Sequence, residues 1–174
     1  MAIARDPGPA AEALLKRHGV SEVPVDVEAI ARAEGAIVLR ESLDRNVSGL
    51  LLREEGSNLL AVNDTHHPRR QRFTIAHEVG HLLLHPGRPY TVDSTVRLNW
   101  RNDLSSLATD QEEIAANAFA AALLMPADAV RKAVGSLREG PASNTARVVE
   151  LLAEQFDVSA EAMGYRLINL GISS

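Results

Sequence analysis

The sequence predicts an α+β fold: a mostly helical single domain over residues 1–174, with a small three-stranded antiparallel sheet packed beside its central helix. The first observation is composition, because 174 residues that are 45% hydrophobic and 24% charged suit one globular domain. The second is a group of three short apolar runs, separated by turn-forming residues, between residues 36 and 63. The third is helical periodicity with capping residues over most of the remaining chain.

Two short helices precede the predicted strands. Apolar periodicity begins at Pro9 and stops at Gly19. Asp26 then has the side chain of an N-cap, and Gly35 stands where a helix commonly ends in a left-handed residue. We therefore expect helices over residues 9–17 and 26–33.

The three strand-like runs cover residues 36–41, 47–53 and 58–63. The sequences DRN and EEGS between them are good turn formers, and an antiparallel meander is the simplest pairing of such runs. The third run directly precedes the central helix. It is therefore a candidate to accept an extended substrate by strand addition.

Helices account for most of the rest. Pro68 suits the first position of a helix, and Pro86-Gly87 ends it, which predicts the central helix over residues 68–84. Residues 86–110 are polar and irregular, and a connection of that length is expected to be a functional loop. The remaining predicted helices, the last of them capped by Ser159, cover residues 111–125, 127–135, 144–155 and 160–170.

Charge and composition exclude several classes of function. The net charge is -5 and the sequence pI is about 5.7, so we expect no direct binding of nucleic acid. The absence of cysteine excludes disulfides and thiolate zinc sites. No run approaches the ~20 apolar residues of a membrane span, and the N-terminal residues do not resemble a secretory signal. The expectation is a cytoplasmic protein without membrane contact.

A metal-binding motif lies in the middle of the predicted central helix. Residues 77–81 read HEVGH, an HExxH sequence. Residues four apart share one helix face, so His77 and His81 can converge on one zinc ion. Glu78, about 100° round the helix, can reach a metal-bound water without being a ligand. The alternative is that both histidines are hydrogen-bonded core residues.

A catalytic zinc site needs a third protein ligand and one open position. On a continuous helix His85 lies about 12 Å along the axis from His77, whereas two nitrogens on one zinc lie within about 3.5 Å. Glu113, in the next predicted helix, is the better candidate. Its alternative role is a capping box with Asp110, and Glu112 is the carboxylate that would replace it in another register.

Other polar residues are candidates for supporting roles. Asn117 lies four positions after Glu113 in apolar surroundings, and hydrogen bonding to a metal-bound histidine would satisfy its buried amide. Tyr165 is a candidate donor to the transition state, although a place at the edge of the core is the commoner role for such a residue. The basic run of residues 66–72 is either a solvated face or a contact for an acidic substrate segment. Tyr90, His66 and His67 also have side chains that could donate a hydrogen bond to the transition state, although only their chemistry suggests this role.

Together these residues resemble the ImmA/IrrE family of zinc metallopeptidases. The resemblance rests on RFTIAHEVGHLLLH, HPGRP and EEIAANAFAAALLMP, at residues 72–85, 85–89 and 112–126, and extends loosely to the strands and to residues 156–171. It implies a gluzincin-like site with one catalytic Zn²⁺, with His77, His81 and Glu113 as ligands and Glu78 as general base. Many members have Glu at the position of Ala115, so this chain has one carboxylate fewer there.

The resemblance also implies a function. Members of the family are typically intracellular bacterial or phage proteins that cleave a helix-turn-helix repressor and so switch on stress or mobile-element genes. We therefore expect a zinc-dependent endopeptidase whose partner is a protein substrate, a helix-turn-helix repressor. The alternative is a non-catalytic regulator that binds a repressor or DNA. The last two helices have the order of a DNA-binding helix-turn-helix. The second of them contains only one basic residue, Arg166, and this argues against DNA binding.

Overall fold

The central helix lies between a small sheet and a second long helix. The computed structural model describes residues 6–54, 56–87, 89–94, 103–138 and 145–172. Its helices are α1 (Pro7–Arg17), α2 (Val27–Ala33), α3 (Pro68–Leu84), α4 (Asp103–Leu124), α5 (Ala127–Arg138), α6 (Thr145–Phe156) and α7 (Ala160–Asn169). Its strands are β1 (Ala36–Glu41), β2 (Val47–Glu54), β3 (Ser57–Asn63) and β4 (Tyr90–Ser94). The predicted α+β class is confirmed.

The sheet differs from the predicted antiparallel meander in two ways. The strand order is β1-β3-β2-β4, so a fourth strand joins the sheet at the edge of β2. In addition, β1 pairs with β3 in parallel, while β2 is antiparallel to both β3 and β4. The hypothesis of substrate strand addition at residues 58–63 is therefore wrong, because β1 and β2 occupy both edges of β3.

Buried Asn63 explains why β1 does not form a hairpin with β2. Its side-chain amide donates to the carbonyl oxygens of Asp44 and Val47, at 3.1 and 2.7 Å. These bonds hold the connection between β1 and β2 across the end of β3. The tight turn at Gly56, with φ of +88°, instead pairs β2 with β3.

Helix α3 has the predicted bounds, Pro68–Leu84, and is covered on both sides. Residues 74–81 are all buried, because the sheet lies against one face and α4 against the other. A Cβ at Gly80 would lie 3.1 Å from Cδ1 of Phe119 and 3.2 Å from Cα of Ala116. Glycine at position 80 thus permits a close backbone approach, which brings α3 and α4 together beside the HExxH motif.

Helix α4 begins at Asp103, about two turns before its predicted start at residue 111. Glu113 therefore lies well inside the helix, and the capping box with Asp110 is wrong. The polar residues 103–110 are helical because they extend an apolar helix, although their own composition resembles a loop. The predicted loop of residues 86–110 thus contains β4 and the first turns of α4, and its residues 95–102 lie outside the described residues.

The remaining helices agree with the sequence, except that α5 continues to Arg138, past its predicted end at residue 135. The side chains of Asp26 and Ser159 accept from the amides of Ala29 and Ala162 and begin α2 and α7 as predicted. The predicted start of α6 at residue 144 lies outside the described residues. In the described part of the chain no single helix meets the length and hydropathy required to cross a membrane, and one pair, 110–124 with 127–137, meets them jointly across a 51° bend.

Candidate metal centre

Helices α3 and α4 bring three ligand-type side chains to one point. Nε2 of His77 and Nε2 of His81 lie 3.0 Å apart. The two carboxylate oxygens of Glu113 lie 3.3 Å from His77 Nε2 and 3.2 Å from His81 Nε2. All three donors therefore lie within 4.8 Å of one another, and both histidines are buried.

This donor set fits a zinc ion. Two donors on a tetrahedral zinc with bonds of about 2.0–2.1 Å lie about 3.3 Å apart, close to the three observed separations. Two imidazoles and one carboxylate are a ligand set of catalytic zinc sites, which keep a fourth position open. The group contains Glu113, not Glu112, and His85 does not belong to it.

The other ring nitrogens of the two histidines also have contacts. Nδ1 of His77 lies 3.0 Å from Oδ1 of Asn117, which can only accept, so the neutral ring that binds a metal would carry its proton on Nδ1 and its lone pair on Nε2. Nδ1 of His81 lies 3.3 Å from Nδ1 of His85, on the side of the ring away from His77. Asn117 is in contact with His77 as predicted, but it is exposed and not buried, since it lies in a surface cleft.

Glu78 is fully buried beside the two histidines, at 0% exposure. Its Oε2 accepts a hydrogen bond of 2.7 Å from the hydroxyl of Thr91 on β4. Its Oε1 has no hydrogen-bond partner among the described residues. Burial raises the pKa of the Glu78 carboxyl above its ordinary value, and this effect outweighs the opposing charge of His77 and the Thr91 bond.

The ionisation of the ligand-type residues reflects their mutual contacts. Burial lowers the pKa of His77, but the hydrogen bond to Glu113 and the charge of Glu78 outweigh it, so the pKa lies above the ordinary histidine value. Burial raises the pKa of Glu113, but hydrogen bonds from His77 and His81 reverse the effect and hold it well below the carboxyl range. The carboxylate of Glu113 is therefore ionised and suited to metal ligation.

Strand β2 closes the site from the sheet side. A Cβ at Gly49 would overlap Cγ2 of Thr74 and come within 3.7 Å of Cγ of Glu78, so only glycine fits there. Arg53 donates from Nη2 to the backbone carbonyl of His81 at 2.6 Å. The sequence interpretation missed Arg53 and Thr91. The alternation of residues 90–92, Tyr-Thr-Val, is the signal by which β4 and Thr91 could have been found.

The other candidate donors form no hydrogen bond or ion pair with the ligand-type residues among the residues that the structure describes. Tyr165 is 63% exposed on α7, and its hydroxyl makes no hydrogen bond with the three ligand-type residues or Glu78 in the described parts of the chain. His67 accepts from the amide of Arg69 and caps α3. His66 contacts the carbonyl of Arg45, and Tyr90 is exposed on β4.

Comparison with known proteins agrees with this geometry. Two curated relatives are the radiation response metalloproteases IrrE of Deinococcus deserti and Deinococcus radiodurans, which are 34% and 32% identical over 111 residues, or 63% of this chain. The matches cover 36% and 30% of the relatives, so the chain spans about a third of their length.

A likeness among solved structures concerns the fold alone. A Mycobacterium tuberculosis transcriptional regulator has a TM-score of 0.61 and 22% identity, over 94% of this chain and 46% of that one.

The sequence profile of a peptidase family, described as the IrrE N-terminal-like domain, matches residues 31–168. The predicted resemblance to the ImmA/IrrE family is thus confirmed, and the chain belongs to the IrrE N-terminal-like domain family of peptidases.

Proposed function

We propose that this protein is a zinc-dependent endopeptidase, with His77, His81 and Glu113 as zinc ligands and Glu78 as general base. One observation carries the proposal: three ligand-type donors converge within 4.8 Å beside the buried carboxylate of Glu78, one oxygen of which has no partner in the described part of the chain. The metallopeptidase relatives support the same reaction class.

Peptide hydrolysis uses Glu78 for proton transfer. When bound, zinc supplies a Lewis acid that polarises the substrate carbonyl and lowers the pKa of water. Oε1 of Glu78 accepts a proton from the attacking water while the water oxygen bonds to the carbonyl carbon. As the carbon–nitrogen bond breaks, Oε1 returns this proton to the leaving amine nitrogen. A buried carboxyl with a raised pKa is suited to both halves of this transfer.

Two neighbouring residues hold these groups in position. The hydroxyl of Thr91 fixes Oε2 of Glu78, so that Oε1 is the oxygen that handles the proton. Asn117 fixes the tautomer and the ring orientation of His77.

The proposed substrate is a helix-turn-helix repressor, whose cleavage derepresses stress or mobile-element genes. The family resemblance supports this choice, and the relatives are named for a radiation response. Incubation of the metal-loaded protein with the helix-turn-helix repressor encoded beside its gene tests it directly. A defined pair of fragments, absent after chelation of the metal, is the expected result.

Glu78→Gln separates catalysis from binding. The substitution keeps the size and a hydrogen bond but removes the base, so zinc should still bind at one equivalent. Cleavage should fall by about 10² to 10⁴-fold. As a matched control, Glu150→Gln replaces an exposed carboxylate on α6 and should leave cleavage unchanged. If Glu78→Gln protein still relieves repression with the repressor intact, the non-catalytic regulator is the better description.

A further inference from the structure

A surface cleft of about 940 Å³ lies beside the metal centre, along α3 and α4. It meets the metal centre at Asn117, which lines the cleft and contacts His77. From there the lining continues along α3 towards its N-terminus, through Thr74 and Arg70. Helix α7 forms the far wall with Tyr165. The cleft therefore adjoins the proposed reaction site through Asn117, although the three ligand-type residues and Glu78 are not part of its lining.

The cleft has an apolar wall. Helix α4 contributes Ile114, Ala118 and Ala121, which recur at helical spacing along one face. Ile114 is 66% exposed although it follows the ligand-type residue Glu113 directly. Phe73 of α3 and Tyr165 of α7 extend this apolar lining. Exposed apolar surface of this kind beside a reaction site is suited to an apolar side chain of a substrate.

Two arginines in the cleft have only neutral partners among the described residues. Arg166 is half-buried and donates to the carbonyl of Met125 at 3.0 Å, whereas Arg70 is exposed. Asp157 forms ion pairs with two arginines of α3, because its carboxylate oxygens lie 3.1 Å from Arg69 and 3.2 Å from Arg72. Arg70 instead donates to the hydroxyl of Ser48 at 2.8 Å. No carboxylate among the described residues lies within ion-pair distance of Arg70. Its exposed guanidinium is thus available to pair with a carboxylate of a bound substrate.

The position of Arg70 sets a distance along a bound peptide. Arg70 precedes His77 by seven residues, which corresponds to about 10 Å along the helix axis. An extended peptide advances about 3.3 Å per residue. A substrate side chain that meets Arg70 therefore lies about three residues from the scissile bond. The cleft also contains two carboxylates, Asp93 and Glu161, and these disfavour acidic side chains at other positions.

We propose that this cleft binds an extended segment of the protein substrate on one side of the scissile bond and selects an apolar side chain near the metal centre and an Asp or Glu about three residues away. The apolar side chain packs on Ile114 and Ala118, and the acidic side chain pairs with Arg70. This inference rests on the proposed peptidase function and specifies the substrate sequence that it accepts.

The test asks whether a substitution at Arg70 reverses the preference of the protein for an acidic residue in the substrate. Metal-loaded protein is incubated with a diverse peptide pool, and the cleaved peptides are sequenced. For the best peptide, the ratio of kcat/KM between its acidic form and the matching amide form should be about fivefold to tenfold. Arg70→Gln should reduce this ratio to about one, and Arg70→Glu should favour a lysine at the same position. Arg147→Glu, at an exposed site on α6, is the control and should keep the acidic preference.

A binding measurement keeps this inference separate from the proposed function. Metal-loaded Glu78→Gln protein is titrated with fluorescent peptides that differ only in the acidic residue, and with a peptide whose apolar side chain is replaced by serine. Tighter binding of the apolar, acidic peptide, lost in Arg70→Glu and weakened in Ile114→Asp, supports the cleft even if wild type cleaves nothing. Equal binding of all peptides, or an acidic preference that survives Arg70→Glu, overturns the inference while leaving peptidase activity intact. Thermal unfolding of each variant confirms that it is folded.

Discussion

Oδ1 of Asn117 lies 3.0 Å from Nδ1 of His77, although 40 residues separate them in the chain. The contact joins α4 to α3 at the metal centre and leaves Nε2 of His77 as the nitrogen that faces His81 and Glu113. Removal of this contact should therefore weaken metal binding more than it lowers the stability of the fold.

We predict that Asn117→Ala weakens zinc binding by about 10 to 100-fold, because the ring of His77 loses its orienting acceptor. Competition with a chromophoric chelator measures the affinity. Asn169→Ala is the matched control, since Asn169 lies in the same cleft on α7 but does not contact the donors. Equal affinities of wild type and Asn117→Ala would show that the contact does not orient His77.

We predict that Glu113→Ala loses zinc and that His85→Ala retains it. Glu113 supplies the third donor, whereas His85 touches the site at the far nitrogen of His81 and is not among the converging donors. The His85 variant should show a weakening of at most about 10 to 100-fold, because its role is to orient a ligand. Metal content after desalting, measured by atomic emission, distinguishes the two. Loss of zinc from the His85 variant alone would overturn the ligand assignment.

We predict that Gly80→Ala destabilises the protein by about 1–3 kcal/mol, through overpacking against α4. The new methyl group would lie 3.2 Å from the Cα of Ala116, and that backbone cannot turn aside as a side chain can. Gly164→Ala is the control, because a Cβ at this helical glycine would have nothing within 4 Å. It should instead gain up to about 1 kcal/mol from helix propensity. Urea unfolding measures both changes, and equal stabilisation by the two would contradict the close approach of α3 and α4.

The sequence was most informative where local chemistry decides the outcome. The bounds of α3 agree with Pro68 and Pro86, and the caps Asp26 and Ser159 lie where their side chains predict. The HExxH spacing also predicts which residues meet, because a helix fixes the distance between positions four apart. For Glu113 the sequence left two roles, a metal ligand or part of a capping box. The start of α4 at Asp103 decides between them, because it places Glu113 well inside the helix.

Long-range pairing was harder to predict. The parallel pairing of β1 with β3 depends on Asn63, which holds a connection that lies elsewhere in the chain. Strand β4 is short and has only three strand-forming residues in a row, at positions 90–92, so its place in the sheet is decided by its pairing with β2. Thr91 and Arg53 reach the site through this sheet, and no local pattern connects them to the HExxH motif.

We predict that Glu28→Gln lowers the free energy of unfolding at neutral pH by about 0.5–1 kcal/mol. Glu28 joins α2 to β1 through two hydrogen bonds with Arg40, and these bonds hold its pKa below the ordinary value. A lowered folded-state pKa stabilises the fold above the unfolded pKa of about 4.3, and the contribution is lost as the pH falls. The difference between wild type and variant should therefore be full at pH 7 and vanish in acid.

Urea unfolding at several pH values measures this difference. Glu150→Gln, which removes an exposed ion pair within α6, should change stability little at any pH. A difference for Glu28→Gln that persists below pH 3 would contradict the electrostatic explanation.

The central position of β3 in the sheet affects how two parts of the site fluctuate, namely α3 with the HExxH motif and β4 with Thr91. Strand β3 is paired on both edges and is followed by α3 after only four residues, so the helix with the HExxH motif is anchored to the middle of the sheet. Thr91, which orients Glu78, lies instead on β4, whose outer edge has no paired strand among the described residues. Amide hydrogens of β3 and the middle of α3 should exchange only when the whole domain unfolds, whereas those of β4 should exchange through local opening. The carboxylate that we propose as the proton carrier is thus expected to lie in the slowest-opening part of the domain and to be oriented by one of its faster-opening parts.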